Sequence, residues 1–168
     1  MKTLYATCGL AFSGKTTVAK QLAATLDISR VSLDDINSER GLDAGIGMSD
    51  TQWEETSAIA VQRLTQILST GISVVLDDTL SHRFLRDRYR AVADDAQACF
   101  RLLYMDTPPK EIDLRIARNR SRPHRSDIRA DVFEAHQRRF QHPGDDEKPI
   151  RLASRRDIET FLASLAQR

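Results

Sequence analysis

A short stretch near the amino terminus decides the fold: Gly9-Leu10-Ala11-Phe12-Ser13-Gly14-Lys15-Thr16. It satisfies the pattern G-x-x-x-x-G-K-[ST], in which glycines allow successive backbone N–H groups to turn inward around phosphate oxygens. The pattern requires a strand before it and a helix after it, because the start of the helix adds a positive dipole to the site. The apolar run 3–8 and a helical pattern that continues to about Leu26 meet this requirement.

This phosphate loop predicts the binding of a nucleoside triphosphate. Lys15 is expected to reach the outer phosphates, and the hydroxyl group of Thr16 is expected to bind Mg²⁺. The residues predicted to contact the nucleotide within the loop are Gly9, Ala11, Phe12, Ser13, Gly14, Lys15, Thr16 and Thr17.

The rest of the chain alternates apolar runs of strand length with segments of helical period. This alternation is typical of a parallel sheet covered by helices, so we expect an α/β fold. Strands are predicted at 3–8, 30–33, 73–77, 99–106 and 150–152. Helices are predicted after Gly14, Ser49, Ser81 and Thr107 and over the last residues, the fourth resuming near Ala130 after an arginine-rich interruption. Together with the phosphate loop, the pattern predicts a three-layer P-loop NTPase sandwich around a parallel five-stranded sheet.

Length and composition narrow the class of protein. With 168 residues the chain has room for one domain, and 40% hydrophobic and 29% charged residues exclude disordered and low-complexity classes. A net charge of +1 excludes a protein that grips nucleic acid over its whole surface. The amino terminus lacks the apolar core of a signal peptide, and no run approaches the ~18 apolar residues of a membrane span. We therefore expect a cytoplasmic protein with no membrane partner.

Pairs of carboxylates follow the second and third predicted strands. Ligands of such sheets bind at the carboxyl ends of the strands, where these side chains should meet the phosphate loop. Asp77 directly follows an apolar run and is expected to hold Mg²⁺ with Thr16, ahead of its neighbour Asp78. Asp34 or Asp35 is expected near the hydroxyl group of a phosphoryl acceptor.

Six arginines lie between residues 115 and 129. Arg118 and Arg122 are four residues apart, so they share one face if the helix continues, and both could approach the same polyphosphate. Pro123 favours a loop that opens and closes. The stretch therefore predicts an arginine-rich lid at about 118–130, whose guanidinium groups stabilise the charge on a transferred phosphoryl group.

With these features the chain resembles the small P-loop kinases that are grouped with the zeta-toxin-like and polynucleotide-kinase-like families. The resemblance rests on the phosphate loop, Ser32-Leu33-Asp34-Asp35-Ile36, Val75-Leu76-Asp77-Asp78-Thr79, Arg118-Asn119 with Arg122, and residues 131–143. It implies a single kinase domain over 1–168 that uses ATP and Mg²⁺. It also implies that Asp34 is the base or orienter of the acceptor hydroxyl, and that Arg122, with Arg118 beside it, is the lid arginine.

The resulting prediction is a kinase that transfers the γ-phosphoryl group of ATP to a hydroxyl group of a small molecule, such as an antibiotic, a nucleoside-like compound or another metabolite. The predicted catalytic residues are Lys15, Asp34, Arg118 and Arg122, and Arg118 is also expected to contact the nucleotide. The predicted metal ligands are Thr16 and Asp77. The residues expected to contact the acceptor are Asp34, Asp35, Asn37, Arg40 and Asp78.

Two alternatives remain. The first is a polynucleotide 5′-hydroxyl kinase, but such kinases have an arginine three residues after the catalytic aspartate, where this chain has Asn37, with Arg40 three residues further on. This difference favours a small-molecule acceptor over nucleic acid. The second is a nucleotide-dependent switch or binding module that signals by lid closure and has no acceptor. The two carboxylate pairs argue against it, because a switch needs no base beside an acceptor.

Overall fold

The computed structural model describes residues 1–42, 47–122 and 129–166. Its sheet has five strands: β1 (Thr3–Cys8), β2 (Ser29–Ser32), β3 (Val74–Asp77), β4 (Cys99–Tyr104) and β5 (Ile150–Arg151). They are arranged in the order β2-β3-β1-β4-β5, and every neighbouring pair is parallel. The predicted five-stranded parallel sheet is confirmed.

Helices cover both faces of this sheet. They are α1 (Lys15–Leu26), α2 (Leu33–Glu39), α3 (Asp50–Ser69), α4 (Arg83–Asp95), α5 (Pro109–Ser121), α6 (Ala130–Arg139) and α7 (Arg155–Ala166). In the described parts of the chain, no helix combines the length and the apolar character needed to cross a bilayer.

Alternate residues of β1 serve two separate apolar cores. Leu4, Ala6 and Cys8 pack with α3 and α4, whereas Tyr5 packs with α1 and α7. This alternation follows from the two-residue period of a strand, whose successive side chains point to opposite faces. The strand is buried on both faces, as expected of a central parallel strand, and its carboxyl end leads into the phosphate loop.

Helix α2 was not predicted. The sequence led us to expect strand 30–33 followed by two carboxylates, but the strand ends at Ser32 and Leu33 begins a helix. Ser32 is the N-cap, since its hydroxyl oxygen accepts a hydrogen bond from the backbone N–H of Asp35 at 3.3 Å. Asp34 and Asp35 lie in the first turn, where acidic side chains favour a helix start. Successive helix residues point about 100° apart, so the two carboxylates face different directions.

A buried ion pair between Arg86 and Glu147 joins α4 to the segment that precedes β5. Both side chains are 1% exposed, and two hydrogen bonds of 2.6 and 2.9 Å connect them. Arg86 also donates to the carbonyl oxygens of Leu80 and Gln141. Burial raises the pKa of Glu147, but hydrogen bonds from Arg86 and the Gly144 N–H, with the charge of Arg86, outweigh it and hold the pKa below its usual value.

Arg86→Met is expected to lower the free energy of unfolding by about 3–5 kcal/mol, because it leaves the Glu147 carboxylate buried without its partner. The double variant Arg86→Met/Glu147→Leu should lose less than the sum of the two single variants, since it leaves no buried charge. Urea denaturation measures each value. Arg88→Met, in the same helix but in a more exposed ion pair, is the matched control. Additive losses in the double variant would contradict this account.

Candidate active site

The phosphate loop connects β1 to α1, and two glycines shape it. Gly9 has φ +151°, and a Cβ at this position would lie 2.8 Å from Ser13 Oγ and 2.9 Å from Met105 Cβ. Gly14 has φ +102° and immediately precedes α1. The first turn of this 12-residue helix contains no acidic side chain, and no side chain caps it. The positive end of α1 therefore suits an anion such as a phosphate group.

Lys15 and Thr16 lie at the start of α1, as the motif predicts. The Lys15 Nζ donates a hydrogen bond to the carbonyl oxygen of Leu10 at 2.8 Å, so the ammonium group lies against the loop backbone. The Thr16 hydroxyl donates to Asp77 Oδ1 at 3.4 Å. The structure therefore brings together the two residues that were predicted to hold Mg²⁺.

Asp77 ends β3 and is 5% exposed. Arg30 Nη1 donates to its second carboxylate oxygen at 2.7 Å. Burial raises the pKa of Asp77, and the charges of Arg30 and Lys15 offset only part of this effect. Mg²⁺ prefers oxygen ligands and commonly takes one or two carboxylates beside substrate phosphates. The oxygen atoms of Thr16 and Asp77 fit such a site, and Arg30 is a partner of Asp77 that the sequence did not reveal.

The structure separates Asp34 from Asp35. Asp34 lines the cavity at the phosphate loop, together with Lys15 and Thr16. Asp35 instead forms an ion pair with Arg30 Nη2 and lines a different groove, beside β2 and α3. Of the two, Asp34 is therefore the carboxylate that shares a cavity with the phosphate loop.

Asp78 is half-buried and follows β3. Burial raises its pKa, although backbone N–H groups of Thr79 and Leu80 and the charge of Lys15 act in the opposite direction. Its backbone N–H donates to the Thr7 hydroxyl of β1 at 3.2 Å, and its Oδ2 accepts from the Leu80 N–H at 3.4 Å. Gly9 N–H donates to the carbonyl oxygen of Thr79 at 3.1 Å, which joins this segment to the phosphate loop.

Asn37 and Arg40, predicted to contact an acceptor, instead connect α2 to α3. Asn37 is fully buried, and its Oδ1 accepts a hydrogen bond from the Thr56 hydroxyl at 2.6 Å. Arg40 donates to the Gln52 carbonyl oxygen at 2.7 Å and forms an ion pair with Glu55. Neither is among the described residues that line the cavity, so their contact with an acceptor stays a prediction.

The two lid arginines do not share one helix. Arg118 is exposed in the last turn of α5, but the helix ends at Ser121, and Arg122 has φ −142° and ψ 86°. The physical reason is Pro123, which disfavours helical geometry at the residue before it. Residues 123–128 of the predicted lid lie outside the described residues. The role of both arginines in a lid therefore stays a prediction.

Arg115 is the arginine that contacts the phosphate loop, and sequence reasoning did not assign it a site role. Its Nη1 donates to the carbonyl oxygens of Phe12 at 3.2 Å and Ser13 at 2.8 Å. The Thr107 hydroxyl donates to the same Ser13 oxygen at 2.8 Å. Arg115 is three residues before Arg118, so it belongs to the same arginine-rich face one turn earlier. That spacing was the available signal.

The cavity that these residues form has a volume of about 780 Å³, within the range of small-molecule sites. Its lining includes the phosphate loop, the first turns of α1 and Asp34, and also Thr107, Arg115, the start of α7 and residues 152–154 before it. The cavity can hold an anion whose phosphates lie at the positive end of α1.

A parallel sheet with this order and a phosphate loop after its central strand defines a P-loop NTPase of the α/β class. A family model described as an AAA domain matches residues 4–143, and the chain belongs to that family. No curated protein matches the sequence.

Solved structures of three proteins illustrate the likeness in fold. Kti12 of Chaetomium thermophilum, in complex with ADP-AlF3, is 19% identical with a TM-score of 0.77, over 98% of this chain and 97% of that one. A sugar kinase from Janibacter sp. HTCC2649 is 18% identical with a TM-score of 0.72, and the match covers 99% of this chain and 94% of that chain. The APS kinase CysC of Mycobacterium tuberculosis, in complex with AMPPNP and APS, is 20% identical with a TM-score of 0.65. The match covers 99% of this chain and 95% of that chain. At these identities the similarity establishes the fold.

His136 of α6 is a titratable group near this site. Its ring is partly buried, and within the described ranges its Nε2 has no hydrogen-bond partner. Burial, followed by the positive charges of Lys15 and His82, lowers the pKa of His136 to about 4. The imidazole is therefore neutral at pH 7.

We expect His136 to make the native state acid-sensitive between about pH 6.5 and pH 4. The unfolded state binds a proton near pH 6.5 and the native state only near pH 4, so acidification favours unfolding in this window. The difference should reach about 1 kcal/mol at pH 5, a value reduced because the ring is only partly buried. Urea denaturation at pH 7 and pH 5 measures it. His136→Gln should lose less free energy of unfolding between pH 7 and pH 5 than the wild-type protein. An equal loss in both proteins would show that His136 is not the cause.

Proposed function

We propose that this protein is an ATP-dependent kinase that transfers the γ-phosphoryl group to a hydroxyl group of a small molecule. The observation that carries the proposal is the presence of the Asp34 carboxylate in the same cavity as Lys15 and Thr16. A carboxylate there can orient or deprotonate an acceptor hydroxyl beside the phosphates. A protein that only binds and releases nucleotide has no need of such a group.

In the proposed reaction, the acceptor oxygen forms a bond to the γ-phosphorus while the bond between that phosphorus and the β–γ bridging oxygen breaks. Asp34 accepts the proton of the hydroxyl group, and ADP leaves. Lys15 donates hydrogen bonds to the outer phosphates, and Arg118 and Arg122 stabilise the transferred group. Thr16 and Asp77 would hold a Mg²⁺ ion, which would supply positive charge beside the phosphate oxygens.

Asp78 is proposed to bind the acceptor beside Asp34. Its carboxyl group already accepts a hydrogen bond from the Leu80 N–H at 3.4 Å, and its oxygen atoms can accept further hydrogen bonds from the hydroxyl groups of an acceptor. The remaining predicted acceptor ligands would have to give up existing contacts to serve that role. These are Asp35 with its ion pair to Arg30, Asn37 with its bond to Thr56, and Arg40 with its contacts to α3.

The compared structures support a small acceptor, because a sugar kinase and an APS kinase have this fold over nearly the whole chain. A nucleotide-dependent binding module is the second candidate, favoured by the bonds from Arg115 to the phosphate loop, which join α5 to the nucleotide site. A polynucleotide acceptor would suit the arginines of α5, but the net charge of +1 and the buried Asn37 argue against it.

Mass spectrometry of a metabolite and antibiotic extract, incubated with the protein and ATP, tests these alternatives. A kinase with a small acceptor should produce a compound that gains one phosphoryl group only in the presence of ATP and active protein. The Lys15→Met variant is the negative control. Labelled ATP with 5′-hydroxyl oligonucleotides tests the polynucleotide alternative. Nucleotide binding without a phosphorylated product in either assay would favour the binding module.

With the acceptor identified, Asp34→Asn is expected to lower kcat by about 100-fold or more, because the general base is lost. Its dissociation constant for ADP should stay within about threefold of the wild-type value, since Asp34 is not assigned to nucleotide binding. Glu39→Gln, a neutralised exposed carboxylate on the same helix, is the matched control. Wild-type kcat in Asp34→Asn would contradict the role, and loss of kcat in Asp35→Asn alone would assign it to the neighbour.

Asp77→Asn and Thr16→Val are expected to raise the Mg²⁺ concentration needed for half-maximal ATP binding by about tenfold, because each removes an oxygen ligand of a metal that binds few protein groups. Fluorescence titration with a labelled nucleotide at several Mg²⁺ concentrations measures this. Asp95→Asn, an exposed carboxylate of α4, is the control for loss of charge. If the Mg²⁺ requirement is unchanged in both variants, Thr16 and Asp77 are not metal ligands, even if the substitutions also lower the stability of the protein.

A further inference from the structure

Phe12 stands out in the phosphate loop because of its backbone. Its φ is +62°, in the left-handed region that L side chains rarely adopt and glycine adopts readily. A glycine here would relieve the strain without disturbing the direction of the loop. The presence of phenylalanine therefore suggests that its side chain contributes something that glycine cannot.

The Phe12 side chain contributes apolar packing between the loop and two helices. It is 8% exposed and forms a small cluster with Ile112 and Ile116 of α5 and Phe133 of α6. Its four buried residues are distinct from those of the two cores that flank the sheet, and Leu10 packs against both this cluster and the core on the side of α3 and α4. Through this cluster, the phosphate loop is attached to the helices that lie on either side of the predicted lid.

The backbone around Phe12 makes a second attachment to α5. Arg115 Nη1 donates to the carbonyl oxygens of Phe12 and Ser13, and Glu111, one turn earlier in α5, accepts from Arg115 Nε at 3.1 Å. Arg118 follows Arg115 by three residues on the same helix, so its position depends on how α5 sits on the loop.

We propose that Phe12 is a positioning residue that couples the phosphate loop to α5 and α6. Phosphate binding fixes the conformation of the loop. Because the Phe12 side chain packs in the cluster, the fixed loop also restricts the motion of α5 and α6. Helix α5 is thereby held where Arg118 can contact the transferred phosphoryl group. The catalytic consequence rests on the proposed kinase function. The coupling itself requires only that the loop binds the phosphates of a nucleotide.

Three substitutions of Phe12 separate packing from backbone strain. Phe12→Leu keeps apolar volume in the cluster, Phe12→Ala removes packing but keeps a Cβ, and Phe12→Gly removes both the packing and the strain. Ile116→Ala weakens the cluster from the α5 side and leaves the loop sequence intact. Leu114→Ala, on the same helix but 52% exposed, is the matched control.

Hydrogen–deuterium exchange of the full chain, with and without Mg²⁺ and ADP, tests the coupling. In the wild-type protein ADP should slow exchange in residues 9–17 and, by about tenfold, in α5 and α6. With ADP at a saturating concentration for each protein, Phe12→Ala, Phe12→Gly and Ile116→Ala should keep the slowing in the loop, and Ile116→Ala should bind ADP within about fivefold of wild type. All three should lose the slowing in α5 and α6, whereas Phe12→Leu and Leu114→Ala should retain it.

Slowing of exchange in α5 and α6 that persists in Phe12→Ala and Ile116→Ala would overturn the proposal, as would a wild-type protein in which ADP affects the loop alone. A Phe12 variant that loses ADP binding while Ile116→Ala keeps both binding and slowing would also overturn it, since Phe12 would then act only within the loop. With an acceptor identified, Ile116→Ala should lower kcat by about tenfold and leave KM for ATP nearly unchanged. If ADP slows exchange in α5 and α6 as expected but no phosphorylated product is found, the proposed kinase function would be wrong and the proposed coupling would still hold.

Discussion

The close approach of three chain segments at Gly9 is the constraint on which the site depends. A Cβ on this residue would collide with Ser13 and Met105, and its N–H group donates to the carbonyl oxygen of Thr79. The end of β1 therefore lies in close contact with Thr79, which follows β3, and with Met105, which follows β4. This contact brings the phosphate loop, Asp77 and Asp78 to one edge of the sheet, where the carboxyl ends of parallel strands form ligand sites.

Charge at this edge is organised around Arg30. Its guanidinium group bonds to the buried Asp77 through Nη1 and to the exposed Asp35 through Nη2. A buried carboxylate without a partner is costly, so Arg30 allows Asp77 to remain beside Thr16 despite its burial. The second bond, from Nη2, holds Asp35 at a different groove, so Asp34 is the carboxylate of α2 that lines the cavity at the phosphate loop. Arg30 thus partners the predicted metal ligand Asp77 and holds Asp35 apart from the predicted base Asp34.

The parts of this protein that the sequence predicted are those that local pattern encodes. The loop motif, the apolar strands and an acid directly after a strand specify the sheet and the Thr16–Asp77 pair. Helix α2 was missed because seven residues are too few to show helical periodicity. The bonds of Asn37 and Arg40 to α3 were not foreseen, because polar side chains that join two helices look the same in sequence as side chains that bind a ligand. Arg115 was missed because its contact depends on where α5 starts relative to the loop, which is tertiary information.

The role of Arg115 follows from the geometry of a phosphate loop. A loop that turns N–H groups toward an anion turns carbonyl groups away from it, and those carbonyls need donors of their own when they are not in water. In this protein Lys15 bonds to the Leu10 oxygen, and Arg115 and Thr107 bond to the oxygens of Phe12 and Ser13. These donors are Thr107, which follows β4, and Arg115 in the middle of α5, so they also hold α5, which carries the predicted lid residue Arg118, against the loop. An arginine that serves the loop from outside is therefore part of the nucleotide site even though it was not predicted to touch the nucleotide, and it explains why α5 and the loop meet where Phe12 packs.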